Sequence, residues 1–191
     1  MRIVGGQFKG RTLTVPEGRN TRPTSDRARE AIFNVLAHAD WAPSLDGARI
    51  MDVFAGSGAL GFEAMSRGAA FCLFVETDEA ARGAIRDNVE TFALFGTTRV
   101  HRRDATLLGA RPGGDGEAYQ FAFLDPPYRK GLEYKALDCL REGNWLAKDA
   151  IVVLEQAADD DDFATDVWEI INTKIYGAAR VLFLTQKINF Q

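Results

Sequence analysis

Asp125-Pro126-Pro127-Tyr128 directly follows the apolar run Phe121-Ala122-Phe123-Leu124. That run reads as a buried strand, so the four residues stand at its carboxyl end, the edge where open α/β sheets bind ligands. Two consecutive prolines remove two backbone donors and stiffen the turn. A carboxylate, a Pro126 carbonyl and an aromatic ring are thereby held in one arrangement. This group suits a planar substrate bearing an amino group: the oxygens accept its N–H bonds and the ring stacks on its face. Asp125, Pro126, Pro127 and Tyr128 are the candidate catalytic residues.

A second constellation runs from Asp52 to Gly61, DVFAGSGALG. Gly56 and Gly58 permit positive φ and close approach of a ligand to the backbone, with Phe54 and Asp52 immediately before them. Gly56-Ser57-Gly58-Ala59-Leu60-Gly61 fits the dinucleotide fingerprint, and Glu76 lies near its expected acidic partner, suited to ribose hydroxyls. Taken alone, the motif admits either a nicotinamide cofactor or S-adenosylmethionine, since both contain adenosine. Three features favour the second. Asp52 suits the ammonium of a methionine moiety and would repel a pyrophosphate. Asp104, with Ala105 beside it, can accept from an adenine amino group. The Asp-Pro-Pro-Tyr group offers an amine site that hydride transfer would not require.

The elements that must position these residues alternate. Helix is expected over 26–38, capped by Ser25 or Thr24. Strand 49–54, helix 60–66, strand 71–76, helix 78–94, strand 98–101, strand 120–124, helix 134–142 and strand 150–155 follow. Residues 168–176 and 180–186 read as an antiparallel hairpin closing the sheet. The expected fold is therefore α/β: a Rossmann-like, mostly parallel sheet with a carboxyl-terminal antiparallel hairpin. Residues 1–24 read as a β-hairpin and basic loop preceding a main domain over 25–191. The acidic run Asp159 to Asp162 receives no function.

Bulk properties bound the reading. A chain of 191 residues with 46% hydrophobic and 26% charged residues is ordinary for one globular domain. No apolar run reaches bilayer length, and the start lacks a signal-peptide core, so no membrane partner is expected. Cys72 and Cys139 read as free thiols, which fits a reducing cytoplasm. His38 and His101 stand apart from any metal-ligand spacing. Net charge is −4, yet residues 1–30 hold seven basic groups against three acidic, leaving −8 on the rest. Lys9, Arg11, Arg19, Arg22 and Arg29, with Arg129 and Lys130 after the tetrad, are the candidate contacts to a polyanion.

Together these residues resemble class I S-adenosylmethionine-dependent methyltransferases that act on exocyclic amines of nucleic-acid bases. Arg22-Pro23-Thr24-Ser25-Asp26-Arg27, Arg29-Glu30 and Phe33-Asn34 precede the glycine motif, and Glu63-Ala64 and Ser66-Arg67-Gly68 accompany it. With Val4-Gly5-Gly6, Lys9-Gly10-Arg11 and Asn144-Trp145-Leu146, the pattern is similar to the RsmD family, bacterial small-subunit ribosomal RNA guanine-N2 methyltransferases. The resemblance extends to about Glu155. It implies S-adenosylmethionine as cofactor, ribosomal RNA or a small-subunit particle as partner, and a monomeric cytoplasmic enzyme. A DNA or RNA adenine-N6 methyltransferase shares the same catalytic residues, but this chain has no large target-recognition insertion. A nicotinamide oxidoreductase leaves Asp-Pro-Pro-Tyr idle, and a non-catalytic RNA-binding module leaves the cofactor motif unexplained.

Overall fold

The computed structural model of the protein describes residues 1–16 and 25–187. Seven strands form one sheet: β1 Arg49–Val53, β2 Phe71–Val75, β3 Thr98–His101, β4 Tyr119–Leu124, β5 Leu146–Ala157, β6 Trp168–Tyr176 and β7 Ala179–Gln186. Their spatial order is β3-β2-β1-β4-β5-β7-β6, parallel through β5, with β7 antiparallel to both β5 and β6. This is the expected sheet and hairpin. The chain order reverses between β1 and β4, so their carboxyl ends flank the crevice where such sheets bind ligands.

Strand alternation sorts the core into two layers. Ile50, Cys72, Phe74, Phe121, Phe123, Ile151, Val153 and Phe183 pack with helices α1 (Asp26–His38), α2 (Ala59–Ser66) and α3 (Glu79–Thr91). Met51, Leu73, Val75, Ala122, Leu124, Val152 and Leu154 pack with α4 (Leu132–Glu142) on the other face. Runs apolar at every position, such as Phe71-Cys72-Leu73-Phe74-Val75, are what a sheet covered on both sides requires. Ser25 caps α1 through Ala28 N, and Asp78 caps α3 through Ala81 N. A one-turn 3-10 helix at Ala105–Leu107 adds to the expected elements, a length too short for periodicity to register. No helix among the described residues is long and apolar enough to cross a membrane.

The amino-terminal turn pairs its two arms as expected of a hairpin: Arg2 bridges Thr12 antiparallel, and Ile3 N donates to Arg11 O, Gly10 N to Ile3 O and Leu13 N to Met1 O at 2.8–3.0 Å. Further polar groups of the segment pair with helices α2 and α3. Val4 N donates to Glu63 Oε2 at 2.9 Å, Phe8 N to Ser66 Oγ at 2.9 Å, and Ser66 Oγ donates to Gly5 O at 2.6 Å. Thr14 and Asn88 exchange two bonds, tying the segment to α3. Ile3 and Leu13 are buried in the layer that α1 to α3 cover.

Glu63 is wholly buried, and its other oxygen accepts Arg67 Nε at 2.8 Å. Glu63→Ala would strand a buried amide and the partly buried Arg67 guanidinium together. Urea unfolding should show a loss of about 2–4 kcal/mol, and Glu63→Gln a smaller one.

Candidate active site

Helix α2 begins without a cap of its own. Gly58, at the N-cap position, is left-handed with φ 77° and offers no side-chain bond. Asp52, at the end of β1, supplies the acceptor from across the turn: its Oδ2 takes Gly61 N at 2.8 Å. Glu76, just past β2, takes Gly56 N on Oε2 and Asp78 N on Oε1, each at 2.8 Å. Two carboxylates from neighbouring strands thus fix both ends of the glycine turn. Phe54, half-buried with φ 63°, is the bend that leads from β1 into it.

The three glycines serve different ends. A Cβ on Gly61 would lie 2.4 Å from the Phe74 ring and 2.8 Å from Cys72 Sγ, so this glycine sets how closely helix meets strand. One on Gly58 would strike Phe62 and Phe74 at 2.8–3.0 Å. Gly56, at φ 55°, has nothing within 4 Å of that position. Space for a ligand therefore lies over Gly56, beside the Glu76 carboxylate.

Asp52 is buried, and burial with the nearby Glu76 charge raises its pKa to about 8, against the lowering effect of the Gly61 bond. Across the crevice, Asp125 is half-buried at the end of β4. Burial first, then the charges of Glu155 and Asp52, push its carboxyl well above the usual range. Glu155 itself was missed in the sequence. The β4–β5 register pairs Leu124 with Leu154, so Glu155, still inside β5, lies beside Asp125 where β4 ends. Glu155 is 5% exposed and accepts the Tyr128 hydroxyl at 2.6 Å. A signal is present in the sequence: Glu155 follows the apolar run Ala150–Leu154 as Glu76 follows Phe71–Val75.

Asp52, Phe54, Gly56, Glu76, Asp125 and Tyr128 therefore converge at the ends of β1, β2 and β4. Pro126 is buried and Pro127 exposed beside them. Asp104 is exposed and caps the 3-10 turn, its Oδ1 accepting Thr106 N and Oγ1 at 2.8 and 2.7 Å, which holds its pKa down. Ala105 is buried behind it.

The basic residues divide. Lys9 and Lys130 are exposed. Arg11 is exposed but anchored, donating to Thr91 O at 2.7 Å and lying 4.5 Å over the Phe92 ring. Arg29 is 1% exposed, with its guanidinium on Arg2 O and Asp26 Oδ1. Its burial on the inner face of α1, with the Arg2 carbonyl as a partner, removes it from the surface and corrects its expected phosphate contact. Arg129 pairs with Asp159 at 2.7 Å and Asp160 at 3.7 Å, giving the acidic run a partner. Arg19 and Arg22 lie outside the described residues.

A family model described as conserved hypothetical protein 95 matches residues 1–185. Ribosomal RNA small subunit methyltransferase D of Escherichia coli strain K12 is 39% identical over 160 residues, covering 84% of this chain and 76% of that protein. The chain belongs to the RsmD methyltransferase family. The protein of the same name from Haemophilus influenzae is 31% identical over 177 residues, covering 93% and 89%. The solved structure of yhhF, a candidate methyltransferase of Escherichia coli, superposes with a TM-score of 0.82 at 35% identity over 98% of both chains. The RsmD fold is thus matched from the amino-terminal segment through the closing hairpin.

A carboxyl whose pKa is higher folded than unfolded keeps its proton in the folded state alone between those two values. Stability then falls as pH rises through that window. For Asp52 the window runs from about 3.9 in the unfolded chain to about 8 in the folded one. The cofactor-free protein should lose urea resistance from pH 5 to 8. Asp52→Asn, which keeps an acceptor for Gly61 N, should flatten that slope.

Proposed function

We propose that this chain transfers a methyl group from S-adenosylmethionine to the exocyclic N2 amine of a guanosine in small-subunit ribosomal RNA. The observation that carries the reading is the adjacency of two features on neighbouring strands. An opening over Gly56 beside Glu76 stands at the β1 and β2 ends, and Asp125 with Tyr128 follows β4. The names of the two curated relatives supply the RNA class.

The residues present fit the cofactor. Glu76 retains acceptor capacity for ribose hydroxyls beside its two backbone bonds, Gly56 leaves room for close approach, and Asp52 offers negative charge to an ammonium once ionised. Asp104 and Ala105 would border the adenine. When bound, S-adenosylmethionine supplies a methyl group made electrophilic by a positively charged sulfur.

The chain's own groups act on the amine. Its lone pair is delocalised into the guanine ring, so the amine is a poor nucleophile. Asp125 and the Pro126 carbonyl accept its N–H bonds, favour pyramidal nitrogen and stabilise the charge that develops there. A carboxyl of raised basicity also suits removal of the proton that must leave. Tyr128 stacks on the base, a contact worth ~1–3 kcal/mol in single-strand binding. The double proline keeps these parts in register and excludes competing donors. The base must leave any helix it occupies to enter, so an unpaired or exposed guanosine is the target. Lys9, Arg11 and Lys130 supply phosphate contacts from the rim, with Arg19 and Arg22 as further candidates.

Labelled cofactor, small-subunit RNA and assembled subunits, followed by mass mapping of the product, test this. Wild-type protein should yield N2-methylguanosine in one of the two substrates. Asp125→Ala should lower the rate by about a hundredfold or more while calorimetry finds cofactor affinity little changed. Gly56→Ala should do the reverse at the binding step, weakening the cofactor at a stability cost of about 1–2 kcal/mol for its positive φ. A fully active Asp125→Ala removes the tetrad from the mechanism, and methylated adenine assigns the enzyme to the N6 class.

A further inference from the structure

Resting on the reading above, we infer that Arg82 is a positioning residue for the cofactor's ribose, because it clamps the backbone of the turn that presents Glu76. Arg82 is the fourth residue of α3 and only 6% exposed. Side chains of a helix lean toward its amino terminus, and this one reaches past the start of α3. Its Nη1 donates to the Glu76 carbonyl at 3.4 Å and to the Thr77 carbonyl. The groups that a helix start leaves unpaired are amides, so the two carbonyls are not there to be capped.

Stability does not account for a guanidinium in this place. A buried charge is costly without an opposite charge beside it, and among the described residues Arg82 makes no ion pair. Its Nε is buried and has no hydrogen-bond partner. A cation folded back toward a helix amino terminus also meets the unfavourable end of the helix dipole. A methionine would fill the space without either cost. What the guanidinium adds is a hold on two successive carbonyls of the segment that carries the acid.

That hold completes the fixing of Glu76. Its amide donates to His101 O at 3.1 Å, and its carboxylate takes Gly56 N and Asp78 N. Its carbonyl takes Arg82, so the planar peptide between Glu76 and Thr77 cannot rotate without breaking that bond. The two amides use part of the carboxylate's acceptor capacity, and the rest serves ribose hydroxyls only while the group keeps its place. A binding site needs such a group held to about 0.5 Å. Arg82 acts on the ligand through this residue and touches none of the reacting atoms.

Calorimetry on the full chain measures Kd for S-adenosylhomocysteine and for its form lacking the ribose 2′-hydroxyl. Wild-type protein should prefer the hydroxyl-bearing ligand by about tenfold or more, the effect of one hydrogen bond to a charged group. Arg82→Met should weaken S-adenosylhomocysteine about tenfold and the deoxy form little, so that the preference nearly vanishes. Its melting temperature without ligand should hold or rise, since a buried unpaired charge is gone. Arg82→Lys keeps a cation with donors, and its preference should lie between those of wild type and Arg82→Met. Equal weakening of both ligands, or weakening that follows a lowered melting temperature, makes Arg82 scaffold alone and overturns the inference. So does a preference unchanged in both variants or absent from wild type. Wild-type protein that binds neither ligand overturns the cofactor reading as well. Loss of the preference in a protein that methylates no RNA form keeps the inference and overturns only the RNA assignment.

Discussion

The glycine turn between β1 and α2 holds its shape because Asp52 and Glu76 grip its two ends. Each carboxylate reaches from a strand end to an amide that the turn leaves without a backbone partner, at Gly61 and at Gly56. A helix N-terminus concentrates unsatisfied N–H groups, and carboxylates are the strongest acceptors for them. The grip has an electrostatic cost, since it gathers buried acids at one sheet edge. Asp52 and Asp125 both hold their protons more tightly than free carboxylic acids do. A cationic ligand that enters such a place relieves repulsion as it binds. The acids that build the pocket therefore also select for positive charge in what fills it.

The same sheet edge explains why the Asp-Pro-Pro-Tyr group sits where it does. β4 is the strand added on the far side of β1, so the end of β4 faces the turn across the crevice. Asp125-Pro126-Pro127-Tyr128 has little freedom of its own, and Tyr128 is tethered to β5 through Glu155. Beyond it, Arg129 takes a left-handed conformation at φ 60° and reaches the acidic run before β6. The loop after β4 is thus pinned at its start by proline, in its middle by a tyrosine bond and at its end by an ion pair. Only the last of these is solvent-exposed, and exposed pairs contribute little stability.

Much of this was legible in the sequence. The helix Asp26–His38, the strand Thr98–His101 and the hairpin strand Trp168–Tyr176 fall where composition and capping signals put them. The glycine motif and the tetrad announced themselves because their residue types are costly elsewhere. What stayed hidden depends on partners far along the chain. Nothing local distinguishes Arg29 from a surface arginine, and its burial follows from the Arg2 carbonyl 27 residues away. The amino-terminal hairpin is a local feature, but its docking on α2 and α3 through Glu63 and Asn88 is not. Leu146 to Asp149 do not look like strand, yet β5 begins there because Tyr119 offers Leu146 a parallel partner before the register shifts.

Residues 1–16 carry one further implication. Gly6 lies so near the last turn of α2 that a methyl group there would overlap the Ser66 carbonyl, at 1.9 Å. Gln7 N donates to that same carbonyl at 2.8 Å. The far tip of the eight-residue helix that opens at the glycine turn is therefore sealed by Gly6 and Gln7. Trimming the protein back to Ser25 would leave an open carbonyl at that tip and one buried Glu63 oxygen without its Val4 N–H donor. What a domain diagram would draw as a detachable arm is the plug in the base of the catalytic fold.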